Sequence, residues 1–537
     1  MNLSPVDKFE EKEKEYYKLV SSYEMEVNLG DIPFSISLVV LLMLISTLLL
    51  WAAKKRLRVA KLRLPPGPTR WPIVGNVTQL GLLPHKDMAR FCSSYGPLVY
   101  LRLGAVDAIT TDDPAVVREI LFRQDDLFAS RPKLVAVFQL SFGGRDIVFS
   151  PMGPQWKRLR RTFVEHLLTA RRFESFAGNR ELEALRIMHD VREKACKGEM
   201  IEVSQVLGAF TMNNVTRMLL GREPGAELLG LTHEMFWLLG LVYPGDYLPL
   251  WRWLVDPFVG TEKKIREVSR RWDGFLQRVI NEHRQAIEAK NLTDGGHGAN
   301  MDFLDVLLSL PGEGEKEQMD VREMKAIMLD IFTGGANTSL VATEWAMAEA
   351  IKNPKVLERA QEELDRVVGR DRMVRESDLG DLNYLRCILR EAFRMHPPAP
   401  LLVPHESTQA TELMGYDIPA KTRVFINAHA LGRNKRMWGD DADEFRPERH
   451  LPADGERVEI IRRGELEILP FGAGKRKCPG STVGTTTALL ALANLFHGFH
   501  WEAPEEIDME EAFGLALRKA KPLRAMARPR LAPSLFQ

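Results

Sequence analysis

Apolar residues at three- and four-residue spacing, with charged residues on the opposite face, run through most of the chain after residue 69. This period predicts amphipathic α-helices, the clearest of which cover residues 158–168, 181–197, 263–290, 321–352 and 354–368. Alternation and β-branched residues predict short strands at residues 98–103, 108–111 and 423–426. The pattern therefore predicts a mainly α fold with a minor β portion.

A different pattern, apolar without any period, lies near the N-terminus. Residues 32–53 carry no charge, and a helix of that length spans about 33 Å, close to the roughly 30 Å hydrocarbon core of a bilayer. The run is too long and starts too late for a signal peptide, and no small-residue cleavage site follows it. We predict that residues 32–53 form a transmembrane anchor.

The charges beside this anchor predict its orientation. Residues 1–31 contain eight acidic residues and four lysines, whereas six basic residues follow the anchor between residues 54 and 63. The positive-inside rule then places residues 1–31 in the lumen as a tail and the rest in the cytosol, as a single-pass protein of the endoplasmic reticulum membrane. The sequence Leu-Pro-Pro-Gly-Pro at 64–68 forbids helix, so residues 54–68 form a basic collar and a stiff proline hinge.

Composition narrows the function by exclusion. The 537 residues are numerous enough for three domains, but no linker or repeat interrupts residues 69–537, which we predict to be one domain. The 73 basic and 73 acidic residues balance, which argues against nucleic acid as a partner. The four cysteines lie far apart without a CxxC pair, which excludes a disulfide scaffold and a zinc ribbon.

The strongest chemical signal is the decapeptide Phe-Gly-Ala-Gly-Lys-Arg-Lys-Cys-Pro-Gly at residues 471–480. Its glycines permit tight turns with positive φ and Pro479 stiffens the exit, so Cys478 is presented on a rigid loop whose amides can donate hydrogen bonds to a thiolate. A phosphate-binding P-loop does not fit, because it would need glycine in place of Leu469 and a hydroxyl residue in place of Arg476.

This decapeptide resembles the FxxGxRxCxG motif of the cytochrome P-450 (haem-thiolate monooxygenase) superfamily. Glu391 and Arg394 are similar to that family's ExxR pair, and residues 445–449 to the segment that supplies a second arginine, Arg449. The resemblance implies a cytochrome P-450 fold with a single haem domain at residues 69–537, haem b as the cofactor, and Cys478 as the thiolate ligand of its iron. It also implies a buried structural cluster of Glu391, Arg394 and Arg449 that holds the cysteine loop.

The same resemblance suggests residues that bind the haem. Trp156 and Arg160 are similar to the family's WxxxR pair, and Arg476 and His405 match its other propionate donors. Together with Phe471 at the start of the decapeptide, they are the expected cofactor-binding side chains. A solvated basic helix face is the alternative explanation for Arg160.

Residues 334–339, Gly-Gly-Ala-Asn-Thr-Ser, lie in the middle of the helix predicted at 321–352. Each glycine costs about 1 kcal/mol against alanine there, so the site needs a close backbone approach or a local kink. A notch for helix–helix packing is the alternative to an oxygen-binding site. The run resembles the family's oxygen-binding pattern [AG]Gx[DE]T[TS], in which a threonine hydrogen-bonds dioxygen and an acid resupplies protons. Thr338 matches the threonine, whereas Asn337 stands at the position of the acid.

An amide orients water but does not release a proton near neutral pH, so Asn337 keeps other functions open. One alternative is a haem-thiolate isomerase or dehydratase that rearranges a hydroperoxide without external electrons. Another is a non-catalytic haem or lipid binder. The Thr338 hydroxyl and the intact cysteine loop favour the monooxygenase, with Thr338 and Asn337 as its catalytic residues.

Five stretches resemble one subgroup of the superfamily, the land-plant in-chain fatty-acid hydroxylases of the spore and pollen wall (sporopollenin) pathway; they are residues 95–104, 212–221, 245–249, 344–349 and 468–480. This implies hydroxylation of a medium-chain acid such as lauric acid at a mid-chain carbon, with O2 and NADPH. A monooxygenase of an aromatic or amino-acid-derived substrate is the alternative within the fold.

A fatty acid requires a narrow apolar tunnel with a polar anchor at its mouth. The candidate tunnel residues are Phe138, Ala336, Leu401, Leu402 and Leu515, with Leu134, Leu140, Phe236, Trp237, Pro400, Val403 and residues 516–517 around them. Arg131 and Arg145 are the candidate partners of the carboxylate.

Electrons must come from a second protein, because the chain has no dinucleotide fingerprint. The resemblance implies a membrane-bound NADPH-dependent flavoprotein reductase. A basic patch suited to an acidic partner comprises Lys157, Arg158, Arg161, Arg171, Arg172, Lys475 and Lys477. A merely solvated face is the alternative.

Overall fold

A computed structural model describes residues 62–293, 301–310 and 319–536 of the chain. The chain divides into two compact units, residues 1–63 and 64–537. The predicted lumenal tail, the anchor at 32–53 and most of the basic collar lie outside the described residues. Among the residues that are described, no helix is both long and apolar enough to cross a membrane.

Helices form most of the second unit, as predicted. Those of ten or more residues are Pro84–Tyr95, Ala177–Cys196, Val203–Leu220, Ala226–Gly240, Thr261–Thr293, Val321–Gly335, Asn337–Lys352, Pro354–Val367, Asn383–Met395 and Ser481–Gly498. Shorter helices are Pro114–Arg118, Asp125–Phe128, Val135–Leu140, Pro154–Thr162, Ala170–Ser175, Pro249–Leu254, Asp256–Val259, Phe303–Ser309, Ala428–Leu431 and Lys435–Trp438.

Two predicted helices differ from the structure. The helix predicted at 158–168 starts earlier, at Pro154, and changes at Phe163–Leu167 into a π-helical turn. The single helix predicted at 321–352 is wrong at Ala336, where the structure has two helices, Val321–Gly335 and Asn337–Lys352. Both changes leave the apolar period intact. The adjacent glycines at 334–335 predict a kink near the break at Ala336, whereas nothing in the sequence pattern marks the π-helical turn.

The β portion is small and its largest sheet has four strands. Val99–Leu103 pairs antiparallel with Val106–Thr111, which pairs parallel with Arg423–Ile426, which in turn pairs antiparallel with His405–Glu406. The three strands predicted from alternation are the first three of this sheet. Other pairings join Arg524–Pro529 with Ile201–Glu202 and Phe499–Glu502, Thr411–Leu413 with Tyr416–Ile418, and Glu511–Ala512 with Arg518–Lys519.

Two large apolar cores meet along the interrupted helix. One core packs Asn337–Lys352 against Val203–Leu220 and Ser481–Gly498 and contains Ala346 and Phe210. The other packs Val321–Gly335 against Ala226–Gly240 and Thr261–Thr293. The interruption at Ala336 therefore lies at the junction of the two cores.

Candidate active site

The cysteine loop, residues 471–480, has the turns that its glycines predict. Gly472 and Gly474 both have positive φ, 61° and 65°. A Cβ on Gly474 would lie 2.3 Å from the carbonyl oxygen of Leu121, so this position also needs a glycine for space. The amide of Cys478 donates to the Phe471 carbonyl at 2.8 Å, which closes the loop just before helix Ser481–Gly498 begins.

Opposing influences act on the Cys478 thiol. Burial raises its pKa, while the hydrogen bond from the Gly480 amide and the positive charges of Arg160 and Lys477 favour the thiolate. The loop thus supplies the groups that stabilise a negative sulfur. A metal bound to this sulfur would add the remaining stabilisation, since a coordinating thiol is deprotonated.

Next to the cysteine loop, the structure brings together the predicted propionate donors. The guanidinium of Arg476 lies 4.1 Å from the ring centroid of Trp156, and Trp156 Nε1 donates to the Ile147 carbonyl at 2.9 Å. Arg160 donates to the carbonyl of Lys477 in the loop itself. His405 is buried, with Nδ1 2.9 Å from the Phe128 carbonyl.

Arg131 belongs to the same group, although the sequence analysis considered it as a substrate anchor. It is buried and donates to the carbonyls of Val403 and Pro404 at 2.6 and 3.0 Å. Burial lowers the pKa of Arg131, and the nearby Arg476 charge lowers it further. No spacing motif marks this residue in the sequence; only the fold places it there.

The residues present fit haem b. Positive charges are crowded together here: burial and the charge of Arg160 lower the pKa of Arg476 to about 10, although the Asp146 carboxylate opposes this. Such a group of cations is suited to two further negative charges, which the two haem propionates carry. Cys478 would hold the iron, and Arg131, Arg160, Arg476 and His405 would hold the propionates. Trp156, whose Nε1 donates to the Ile147 carbonyl, would support Arg476 through its ring.

The predicted structural cluster is present and has a fourth member. Glu391 Oε1 lies 2.8 Å from both Arg394 Nη2 and Arg449 Nε. Its other oxygen lies 2.7 Å from Nε2 of His450, which the sequence analysis missed although it is adjacent to Arg449. Burial alone would raise the pKa of Glu391, but the hydrogen bonds from Arg394 and His450 outweigh it and lower the pKa to about 2.

This cluster is connected to the cysteine loop through aromatic packing. Phe393, on the same helix as Glu391, packs edge-on against Phe471 with the ring centroids 5.5 Å apart. Arg394 also donates to the carbonyls of Ala442 and Glu444 at 2.6 and 2.9 Å, which ties the segment before Arg449 to the helix. The cluster therefore holds in place the helix against which the cysteine loop packs.

At the interrupted helix, the glycine pair lies next to a break in the helix, at Ala336, and also allows a close packing contact, at Gly335. A Cβ on Gly335 would lie 2.7 Å from Val215 Cγ2 on the neighbouring helix, whereas a Cβ on Gly334 would have no atom of the described residues within 4 Å. The Thr338 hydroxyl donates to the Gly334 carbonyl at 2.6 Å. Its oxygen thus keeps its lone pairs free to accept a hydrogen bond on the open side. Asn337 is half-buried beside it.

The predicted tunnel residues differ in how far they are buried and in which elements they contact. Ala336 and Leu401 are buried, and Leu402, at φ 53°, lies beside Gly472 of the cysteine loop. The amide of Leu515 lies against Gly240 at the end of helix Ala226–Gly240. Phe138 is 41% exposed, with its ring beside Gly144.

Comparison with known proteins agrees with this geometry. The sequence model of the family described as Cytochrome P450 matches residues 65–525. The chain is 57% identical to "Cytochrome P450 703A2" of Oryza sativa subsp. japonica, over 94% of this chain and 98% of that protein. It is 55% identical to "Cytochrome P450 703A2" of Arabidopsis thaliana, over 92% and 98%.

More distant relatives agree on the family. "Flavonoid 3'-monooxygenase" of Petunia hybrida is 36% identical over 88% of this chain and 93% of that protein. A solved zebrafish cytochrome P450 with abiraterone superposes with a TM-score of 0.68 and 25% identity, covering 83% of this chain and all of that one. The chain therefore belongs to the cytochrome P450 family and is a haem-thiolate monooxygenase.

Proposed function

We propose that this protein hydroxylates a medium-chain fatty acid such as lauric acid at a mid-chain carbon, in the synthesis of spore and pollen wall sporopollenin. The observation that carries the proposal is the subgroup resemblance of five stretches spread from residue 95 to residue 480. The similarity to the two 703A2 proteins over nearly the whole chain supports it, because such a match includes the substrate-facing segments as well as the haem loop.

The residues around the haem site suit an apolar chain. The haem, when bound, supplies the reduction of O2 and the insertion of one oxygen atom into a C–H bond. Ala336 and Leu401 offer apolar surface and exclude water, while the side of the interrupted helix at Gly334 gives a substrate room beside Thr338. Thr338 and Asn337 hold the water through which protons arrive, since both side chains accept and donate hydrogen bonds.

Turnover of lauric acid tests the substrate. Microsomes containing the protein, a plant flavoprotein reductase and NADPH are supplied with lauric acid, and the products are separated by gas chromatography with mass spectrometry. We expect mid-chain hydroxylaurates, which a Cys478→Ala variant does not form. Hydroxylation of a flavonoid instead, with no in-chain alcohol from lauric acid or neighbouring chain lengths, would establish the aromatic alternative, which the 36% identical flavonoid relative represents.

We further propose that NADPH-dependent flavoprotein reductase supplies the electrons and that residues 32–53 anchor the protein in the endoplasmic reticulum membrane, with the haem domain in the cytosol. Apolar side chains that face solvent support membrane contact: Trp253 is 81% and Phe258 is 90% exposed. Protease protection in intact microsomes checks the topology. A tag before residue 1 should survive protease, and one after residue 537 should be removed; the opposite pattern would reverse the orientation.

A further inference from the structure

Four side chains outside the haem site converge from distant parts of the sequence. His85 lies on helix Pro84–Tyr95, His396 follows helix Asn383–Met395, His429 lies on helix Ala428–Leu431, and Glu511 lies on strand Glu511–Ala512. We call them the His–Glu cluster. Their side chains are between 0 and 7% exposed. Three imidazoles and a carboxylate are therefore buried together, in surroundings where polar groups need hydrogen-bond partners.

The spacing of the donors is that of a metal site. His85 Nε2 lies 3.2 Å from Glu511 Oε2, and His429 Nε2 lies 3.1 Å from Glu511 Oε1. In tetrahedral zinc coordination with bonds near 2.0–2.1 Å, neighbouring ligand atoms are about 3.3 Å apart. Ligand atoms of these three residues all lie within 4.8 Å of one another. A small cation could therefore be held with little movement of the side chains.

His396 provides an independent observation that points to a ligand. Its Nε2 lies 2.7 Å from Glu349 Oε1, and because a carboxylate oxygen accepts a hydrogen bond, Nε2 is the nitrogen that carries the proton. Its buried Nδ1 has no hydrogen-bond partner among the described residues and lies 4.0 Å from Glu511 Oε1. His396 is not one of the three residues whose ligand atoms group within 4.8 Å, so its ring must move inward to complete the site. A carboxylate that fixes the tautomer of an imidazole, leaving the other nitrogen free, is the usual arrangement behind a metal-bound histidine.

A cavity beside the His–Glu cluster gives a cation access to it, and carboxylates nearby balance the charge of the cation. A cavity of about 510 Å³ is lined by His396, His429 and Glu511, and its walls also carry Asp443 and Glu444. Glu511 and Glu349 together supply the two negative charges that a divalent cation needs. Lys86 Nζ lies 2.8 Å from Glu511 Oε2, and Lys352 and Arg433 also line the cavity, so a bound cation competes with these charges. The Lys86 side chain is half exposed and can turn into solvent.

We propose that His85, His396, His429 and Glu511 bind one divalent transition-metal cation, Zn2+ by ligand type, at a structural site separate from the haem iron. Imidazole nitrogens with one carboxylate suit zinc, whereas calcium and magnesium prefer oxygen donors. The cation ties together four segments that lie up to several hundred residues apart in sequence. It stabilises the arrangement of helix Pro84–Tyr95, the segment after helix Asn383–Met395, helix Ala428–Leu431 and strand Glu511–Ala512.

Metal analysis of the intact holoenzyme tests this. Full-length protein is purified in detergent, equilibrated with equimolar Zn2+, passed through gel filtration, and analysed for zinc and iron by mass spectrometry. We expect one zinc per haem iron in the wild type. Glu511→Gln, which keeps the size of the side chain, and His429→Asn, which is shorter and removes Nε2, should retain at least tenfold less zinc. Glu349→Gln, behind the site, should bind zinc more weakly by about tenfold to a hundredfold.

A second cluster supplies the matched control. His283, Asp302 and Asp305 are also close together, but Nδ1 and Nε2 of His283 lie 3.1 Å from the Val279 carbonyl and Asp302 Oδ2 respectively, and the two aspartates form a helix capping box. His283→Gln should leave the zinc content unchanged. The carbon monoxide difference spectrum of each variant reports whether it has folded around haem.

Thermal unfolding with and without added Zn2+ gives a second measurement. Zinc should raise the unfolding temperature of the wild type and of His283→Gln, but not of Glu511→Gln, because a cation stabilises only a chain that binds it when folded. The proposal is overturned if folded Glu511→Gln and His429→Asn retain as much zinc as the wild type, or if the wild type retains none. Neither outcome depends on the substrate of the enzyme.

Discussion

At the residue scale, Asn337 is the most informative departure from the family pattern. It is half-buried at the start of Asn337–Lys352, beside the Thr338 hydroxyl. We expect Asn337→Asp to raise the fraction of NADPH that yields product, because a carboxyl both releases and recovers a proton. Product and NADPH are measured in the same reaction. Asn337→Ala, which removes the amide without adding an acid, is the control; equal coupling in wild type and Asn337→Asp would contradict the expectation.

The two arginines considered as substrate anchors should behave differently. Arg145 is about one-third exposed and pairs with Asp320 at 3.4 Å, a separation at which an ion pair contributes little and can be exchanged for another anion. We expect Arg145→Gln to raise KM for lauric acid about tenfold, the loss of one charged hydrogen bond, with little effect on dodecanol. Arg131→Gln should instead lower haem content, seen in the carbon monoxide spectrum. Equal KM changes for acid and alcohol would exclude Arg145 as the anchor.

Glu391 makes stability depend on acid. Its pKa is lowered from 4.5 to about 2 in the folded protein, so its stabilising effect is complete above pH 4.5 and is lost as pH falls from there towards 2. The linked free energy is about 3 kcal/mol. Urea unfolding at pH 6 and pH 4 measures the first part of this loss, about 0.8 kcal/mol. In Glu391→Gln this part of the pH dependence should vanish, and Arg394 left buried without its partner should cost about 3–5 kcal/mol at neutral pH.

At the element scale, the two adjacent glycines have different tasks. Gly335→Ala puts a methyl group 2.7 Å from Val215 Cγ2 and should destabilise the protein by about 1–3 kcal/mol. Gly334→Ala meets no atom of the described residues within 4 Å and should keep or slightly raise stability through helix propensity. Thermal unfolding measures both. Adding Val215→Ala should rescue much of the Gly335→Ala loss; if it does not, close packing is not the reason for the glycine.

An element could be predicted where the residues that define it lie close together in the sequence. The cysteine loop depends on closely spaced glycines, and the Glu391–Arg394 pair depends on helix spacing, so both follow from sequence. The π-helical turn Phe163–Leu167 does not, because it preserves the apolar face, and at Ala336 the glycine pair predicts a kink without deciding between a kink and a close packing contact. Short paired strands such as Phe499–Glu502 were also missed, since pairing with Arg524–Pro529 rather than alternation defines them.

At the scale of the whole molecule, contacts between single residues that lie far apart in the chain could not be predicted from the sequence. Arg131 lies near Arg476, and His85 contacts Glu511, across more than three hundred residues, and no motif links the two members of either pair. Only packing of the helices brings such groups together. The Glu391 cluster was partly accessible because the family resemblance supplied Arg449, while its neighbour His450 became visible only in the fold.

The basic patch is divided by the fold into exposed and engaged members. Lys157 and Arg161 are exposed on helix Pro154–Thr162, the same helix that carries Trp156 and Arg160 at the haem site. Arg158, in contrast, pairs with Glu323 at 2.5 Å. Since residues four apart lie on one helix face, Lys157 and Arg161 form a compact positive surface beside the haem site. We expect the reductase to dock there.

Reversing both charges, Lys157→Glu with Arg161→Glu, should lower the NADPH-driven rate about tenfold at low salt, because oppositely charged faces accelerate association. The difference should shrink at high salt, where exposed charges are screened. Turnover supported by an organic hydroperoxide, which needs no reductase, should stay unchanged. The matched control is Lys355→Glu with Arg366→Glu, the same charge change on exposed positions of helix Pro354–Val367. An equal loss in both double variants would show that net charge, and not this surface, governs electron delivery.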